Sequence, residues 1–153
     1  MTDAATTNAT ATPAAASAPL LDGRLIGIAY HAIAAVRDRL LAASGLTFHQ
    51  SVALKAAADG LGRAGVADRL TATLKIGAPQ ARQLLDELAD AGLLDGAGAS
   101  LTDAGARIHR GFTDAVAGVT DRLYGDLPAA EREIAARALA HVTARANAEL
   151  AAL

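Results

Sequence analysis

The chain has 153 residues, no cysteine and a formal net charge of -2 at pH 7. Without thiols there are no disulfides, thiolate metal ligands, cysteine nucleophiles or thiol redox switches, and His, Asp and Glu are the remaining metal ligands. A slightly acidic balance gives no general attraction to nucleic acid, so any DNA binding has to come from a local basic surface.

Residues 1–19 are mostly Ala and Thr, with Pro13 and Pro19, and contain no Leu, Ile, Val, aromatic residue, Lys or Arg. Such a stretch buries too little apolar surface to offset its ordering entropy, which predicts a disordered tail. It also lacks the basic and Leu-rich parts of an export signal, which predicts a cytoplasmic protein. Asp or Arg interrupts every later Ala/Leu-rich run short of a membrane span, so no membrane partner is expected.

A first long amphipathic helix is predicted from Leu20 to about Ala43, where Leu25, Ala29, Ala32, Val36 and Leu40 recur at helical spacing. Gly45 ends it. Thr47 followed by Gln50 is a capping-box start for a second helix through about Ala58. Gly60, Gly62 and Gly65 read as a loop, and a short third helix follows over about Ala67 to Lys75 with Leu70 and Leu74 on one face. Gly77 breaks it, and Pro79 opens a fourth helix, to about Ala91, that buries Ala81, Leu84, Leu85 and Leu88 and stops at Gly92. Two helices joined by a short Gly-containing turn form a helix-turn-helix.

After Gly92 the pattern changes. Leu93-Leu94-Asp95, Gly96-Ala97-Gly98 and Ala99-Ser100-Leu101 predict two very short strands around a glycine turn, a wing. Thr102 caps a long fifth helix carrying Ile108, Phe112, Val116, Val119 and Leu123. Gly125 and Pro128 punctuate, and a sixth helix places Ile134, Leu139, Val142, Ala146 and Leu150 along one side.

The order of these pieces resembles the MarR family of bacterial regulators over roughly residues 20–150. Leu46-Thr47-Phe48-His49-Gln50, Leu70-Thr71-Ala72-Thr73-Leu74, the run from Leu84 to Gly92-Leu93, and Leu101-Thr102-Asp103-Ala104-Gly105 carry the resemblance through their order and spacing. It implies a mainly α protein: a winged helix-turn-helix with a short two-stranded wing and long N- and C-terminal dimerisation helices. Residues 20–45 and 103–153 would be the dimerisation helices and residues 46–102 the DNA-binding lobe. A homodimer is implied, with two recognition helices facing successive major grooves of a pseudo-palindromic site on double-stranded DNA.

In that arrangement Gln80, Arg82 and Gln83 are the exposed early positions of the fourth helix, with Asp86 further along. Arg suits the acceptor edge of guanine and Gln the edge of adenine, although the same residues also suit a merely solvated face. Thr71, Thr73 and Lys75 can hold phosphates, with Arg63 and Arg69 as weaker candidates. Wings in the family commonly carry an Arg near the tip, whereas residues 95–100 here hold no basic residue. Weaker non-specific affinity and a shallower salt dependence follow.

The resemblance also implies a cleft between the dimerising helices and the DNA-binding lobe for a small aromatic or acidic effector. Tyr30, His31, Phe48, His49, His109 and Phe112 come from the elements that would line it. The competing readings are a core position for each aromatic residue and a surface or internally satisfied position for each His. No cofactor or metal is assigned: a His-based metal sensor stands as an alternative, but no His-x-x-x-His pair occurs. The sequence holds no phosphate-binding Gly-x-x-x-x-Gly-Lys loop, Gly-x-Ser-x-Gly elbow or His-Glu-x-x-His, so an enzyme is not expected. The main rival is a dimeric winged-helix module that binds a small molecule or protein without engaging DNA.

Overall fold

A computed structural model describes residues 20–97 and 99–153. The expected tail over residues 1–19 and the wing-tip Gly98 lie outside the described residues. Six α-helices occur among those described: α1 (Gly23–Ser44), α2 (Phe48–Ala58), α3 (Gly62–Leu74), α4 (Ala78–Asp90), α5 (Asp103–Tyr124) and α6 (Ala129–Ala152).

Local chemistry sets most of the boundaries. α1 starts later than Leu20 because Asp22 caps it, its Oδ1 accepting from the Leu25 amide at 2.7 Å. At the other end Gly45 takes φ 67°, a left-handed conformation that costs a residue with a Cβ. The Gly45 amide then donates to Ala42 and the Leu46 amide to Leu41, which satisfies two terminal carbonyls. Buried Leu41 and Leu46 lie at this turn. α4 ends in the same way: Gly92 donates to Ala89 and Leu93 to Leu88, both at 2.9 Å. α2 has its capping box, with Thr47 Oγ1 accepting from the Gln50 amide and Gln50 Oε1 accepting from the Thr47 amide.

The start of α3 departs from expectation. Gly62 and Gly65, read as loop, fall inside a helix that begins five residues before Ala67, at Gly62. Gly60 and Gly62 turn the chain with positive φ, while Gly65 packs against Leu61, whose Cβ would stand 3.0 Å from a Cβ placed at Gly65.

The described residues do not show the two strands expected of the wing. Among the described residues it is a single antiparallel bridge, Leu94 to Leu101, closed by hydrogen bonds from Asp95 to Ser100 at 2.9 Å and from Thr102 to Leu93 at 3.2 Å. Gly and Ala dominate the turn, without the β-branched or aromatic pairs that would extend a ladder.

α2, α3 and α4 enclose the core, where Leu54, Val66, Leu70, Ala81, Leu85 and Leu88 are fully buried. α1 packs along α5, and both touch α2. α6 buries no residue. No helix among the described residues is long and apolar enough to cross a membrane.

Candidate functional site

α4 is strongly two-sided. Ala81, Leu85 and Leu88 anchor one side in the core, which forces Gln80, Arg82 and Gln83 onto the exposed side. Gln83 donates to Glu87 at 2.9 Å. Arg82 lines a cleft of about 490 Å³ between α3 and α4, together with Arg63, Asp68 and Thr71. The Thr71 hydroxyl donates to the Asp68 carbonyl at 2.9 Å. Lys75 sits on the turn between the two helices with φ 57°, exposed, its amide donating to Thr71. Thr73 faces a different cavity, shared with α2 and α5. Of the six residues assigned to DNA, five therefore border α4 or its turn, and Thr73 does not.

Two adjoining cavities lie between α2 and α5, the first closed by α1 and the second by α3. The first, of about 290 Å³, is walled by Ile33, Val36 and Leu40 of α1, Phe48 of α2, and Phe112 and Val119 of α5. Arg37 closes one side with its guanidinium carbon 3.9 Å from the centre of the Phe48 ring. The second, of about 340 Å³, brings together Lys55, Arg69, His109 and Thr73. Ser51, Phe112 and Val116 line both. Ser51 is the buried polar residue here, its hydroxyl donating to the Phe48 carbonyl at 2.7 Å.

Burial holds the His109 imidazole below its ordinary pKa, and the nearby Lys55 ammonium adds to this while Asp59 opposes it. Asp59 itself is held low, first by its hydrogen bond from Lys55 and further by Arg69. One carboxylate thus pairs with two cations that line the second cavity.

The six residues assigned to an effector do not converge on one place. Phe48, Phe112 and His109 line the paired cavities. Tyr30 lies one turn earlier on α1, in an apolar groove of about 380 Å³ facing Ala135 and Leu139 of α6, and His31 stacks edge-on against it at 5.4 Å. His49 lines a small cavity with Gln80, Gln83 and Glu87. Sequence reasoning missed Arg37 and Lys55, whose signal was weak because a Lys55–Asp59 pair four residues apart reads as a solvated helix face. Among the described residues no group of three or more His, Cys, Asp or Glu side chains is arranged to hold a metal ion.

A helix-turn-helix flanked by one long helix before it and two after it, with a short wing between, is similar in fold to solved MarR-family proteins. The chain is similar in structure to CouR from Rhodococcus jostii RHA1, solved bound to p-coumaroyl-CoA, with TM-score 0.65 and 20% identity over 79% of this chain and 90% of that one. It is similar to a MarR-family transcriptional regulator from Rhodococcus sp. RHA1, with TM-score 0.61 and 21% identity over 79% and 91%. A point mutant of S. aureus MepR gives TM-score 0.57 and 20% identity over 82% and 98%. No family model matches the chain, and no curated protein matches it by sequence.

Proposed function

We propose that this chain is a ligand-responsive, DNA-binding transcriptional regulator of the MarR type, a homodimer that binds a pseudo-palindromic site and acts as a repressor in the cytoplasm. It is a binding protein rather than an enzyme. The observation that carries this reading is the exposed Gln80, Arg82 and Gln83 on a helix whose opposite side is locked in the core. Arg and Gln offer paired donors and acceptors that match base edges in the major groove.

The homodimer is supported by apolar surface that one copy leaves open. Leu25, Ile28 and Ile33 on α1 and Ile134, Leu139 and Val142 on α6 are exposed. A helix of 24 residues that buries no residue gains little tertiary stabilisation within one copy, and a second copy covering it supplies more.

The ligand response is supported by the paired cavities, which touch α1 and α5 on one side and the DNA-binding lobe on the other. An apolar chamber beside Lys55, Arg69 and His109 fits an organic anion with an aromatic or other apolar body. CouR was solved with a bound coenzyme A ester of an aromatic acid. A ligand that fits one spacing of the helices better than another shifts the DNA-binding equilibrium.

A second reading has an observation of its own. Asp86, Glu87 and Asp90 lie along α4 and residues 93–101 hold no cation, which favours a dimeric module that binds a small molecule or protein without a duplex. Fluorescence anisotropy with a labelled fragment from upstream of the gene, at about 50 and about 200 mM salt, separates the two. The regulator reading expects saturable, salt-sensitive binding that Arg82→Ala weakens by about 1–3 kcal/mol. No such binding to any upstream fragment, with or without candidate ligands, contradicts the regulator reading and supports the second.

A further inference from the structure

Residues 93–101 carry Asp95 and no Lys or Arg. A loop of that charge beside a polyanionic duplex gains no phosphate attraction unless another element supplies a cation to it. Arg63 in the first turn of α3 is placed to do so. Its Nη1 donates to the Gly96 carbonyl of the wing at 3.5 Å, across 33 positions of sequence. Its Nη2 pairs with the Asp86 carboxylate of α4.

Arg63 therefore ties together the start of α3, the exposed side of α4 and the wing. A guanidinium presents five N–H donors in a fixed fork, so two such contacts leave donors for a third partner. The ion pair is exposed: the Asp86 side chain is 67% accessible and that of Arg63 31%. Pairs of this kind contribute little to stability, so exchange of a carboxylate for a phosphate costs little. Arg63 also shares a cleft with Arg82, which places two guanidiniums on the same side of the molecule.

We propose that Arg63 is the wing's cation. On docking, it takes a backbone phosphate beside the wing while its bond to Gly96 holds the loop, and Asp86 is the exchangeable partner that occupies it otherwise. This rests on the DNA-binding reading and adds a contact and a competitor to it.

Phosphate contacts are independent of sequence, so a mixed-sequence duplex titrated from about 50 to about 200 mM salt is a sufficient probe. Arg63→Gln is expected to reduce the slope of log K against log salt by about 0.9, the value for one lost phosphate contact. Arg63→Lys restores most of it, and Asp86→Asn raises affinity by removing the competitor. If Arg63 only neutralises Asp86, then Arg63→Gln leaves the slope unchanged in the Asp86→Asn background, and the proposal is overturned. If it contacts phosphate, the slope falls in that background too. A thermal melt of each variant confirms that folded protein is compared. Should the unaltered protein bind no duplex even at low salt, the proposal falls along with the DNA-binding reading. Should Arg82→Ala weaken binding while Arg63→Gln leaves the slope intact, the proposal falls alone.

Discussion

The Arg37 guanidinium lies over the face of the Phe48 ring, 3.9 Å from its centre, and so fastens α1 to the first residue of α2. Its Nε also donates to Asp38 at 3.0 Å, which leaves the planar group fixed edge and face. Because both residues line the apolar cavity, this contact links the flanking helix to the lobe that carries α4. Arg37→Ala is expected to lower stability by about 1 kcal/mol, the range of a partly desolvated cation–π contact. Urea unfolding with an unchanged m-value measures it, and an unshifted midpoint contradicts the assignment.

Gly105 packs directly under the wing. A Cβ there would collide with the Leu93 carbonyl oxygen, which is already held by the Thr102 amide and the Thr102 hydroxyl. Backbone on backbone cannot yield as a flexible side chain can, so Gly105→Ala is expected to cost about 1–3 kcal/mol. Thermal melts compare it with Ala104→Gly next door, and equal melting temperatures for Gly105→Ala and the parent would refute the close approach.

Lys75 occupies a conformation that glycine favours, with φ 57° at the end of α3. A side chain there costs about 1–2 kcal/mol in the left-handed region, partly offset by the greater freedom glycine has when unfolded. Lys75→Gly is therefore expected to raise stability by about 0.5–1 kcal/mol while weakening duplex binding through a lost phosphate contact. Opposite movements of melting temperature and affinity support the pairing of strain with function. A variant that melts lower, or that binds as tightly as before, argues against it.

Much of the fold was legible because its punctuation is chemical. Gly45, Thr47, Gln50, Gly92 and Thr102 each mark a helix end through their own hydrogen bonds or conformation, and each does so in the structure. The start of α3 was not legible, since glycines at positions 60, 62 and 65 are locally indistinguishable from a loop, whereas in the structure Gly62 and Gly65 lie within the helix and Gly65 fits close against Leu61. Tyr30 shows the limit for the cavity. It shares a helical stripe with Ile33, Arg37 and Leu40, but it lies a turn too early to reach α2 and faces α6 instead. Helical phase is written in the sequence, whereas the height at which another helix crosses is not.

His109 gives the protein a direction of pH dependence. Burial, then Lys55, lowers its pKa in the folded chain below the value of about 6.5 expected when unfolded. The unfolded chain then takes up the proton first, so this stability is complete above about pH 6.5 and declines as pH falls through the folded pKa. Asp59 adds a separate loss at lower pH, where its depressed carboxylate is finally protonated. His109→Gln is expected to flatten the decline between about pH 7 and about pH 5, as read by denaturant midpoints. An equally steep decline in the variant would assign it elsewhere.

The most direct test of α4 as the duplex-reading element is a hydroxyl-radical footprint of the full-length protein on its upstream region. Two protected clusters on one face of the duplex, about one helical turn or 10 base pairs apart centre to centre and both lost in Arg82→Ala, are the predicted result. Uniform cleavage at every protein concentration, or protection that Arg82→Ala leaves intact, contradicts it.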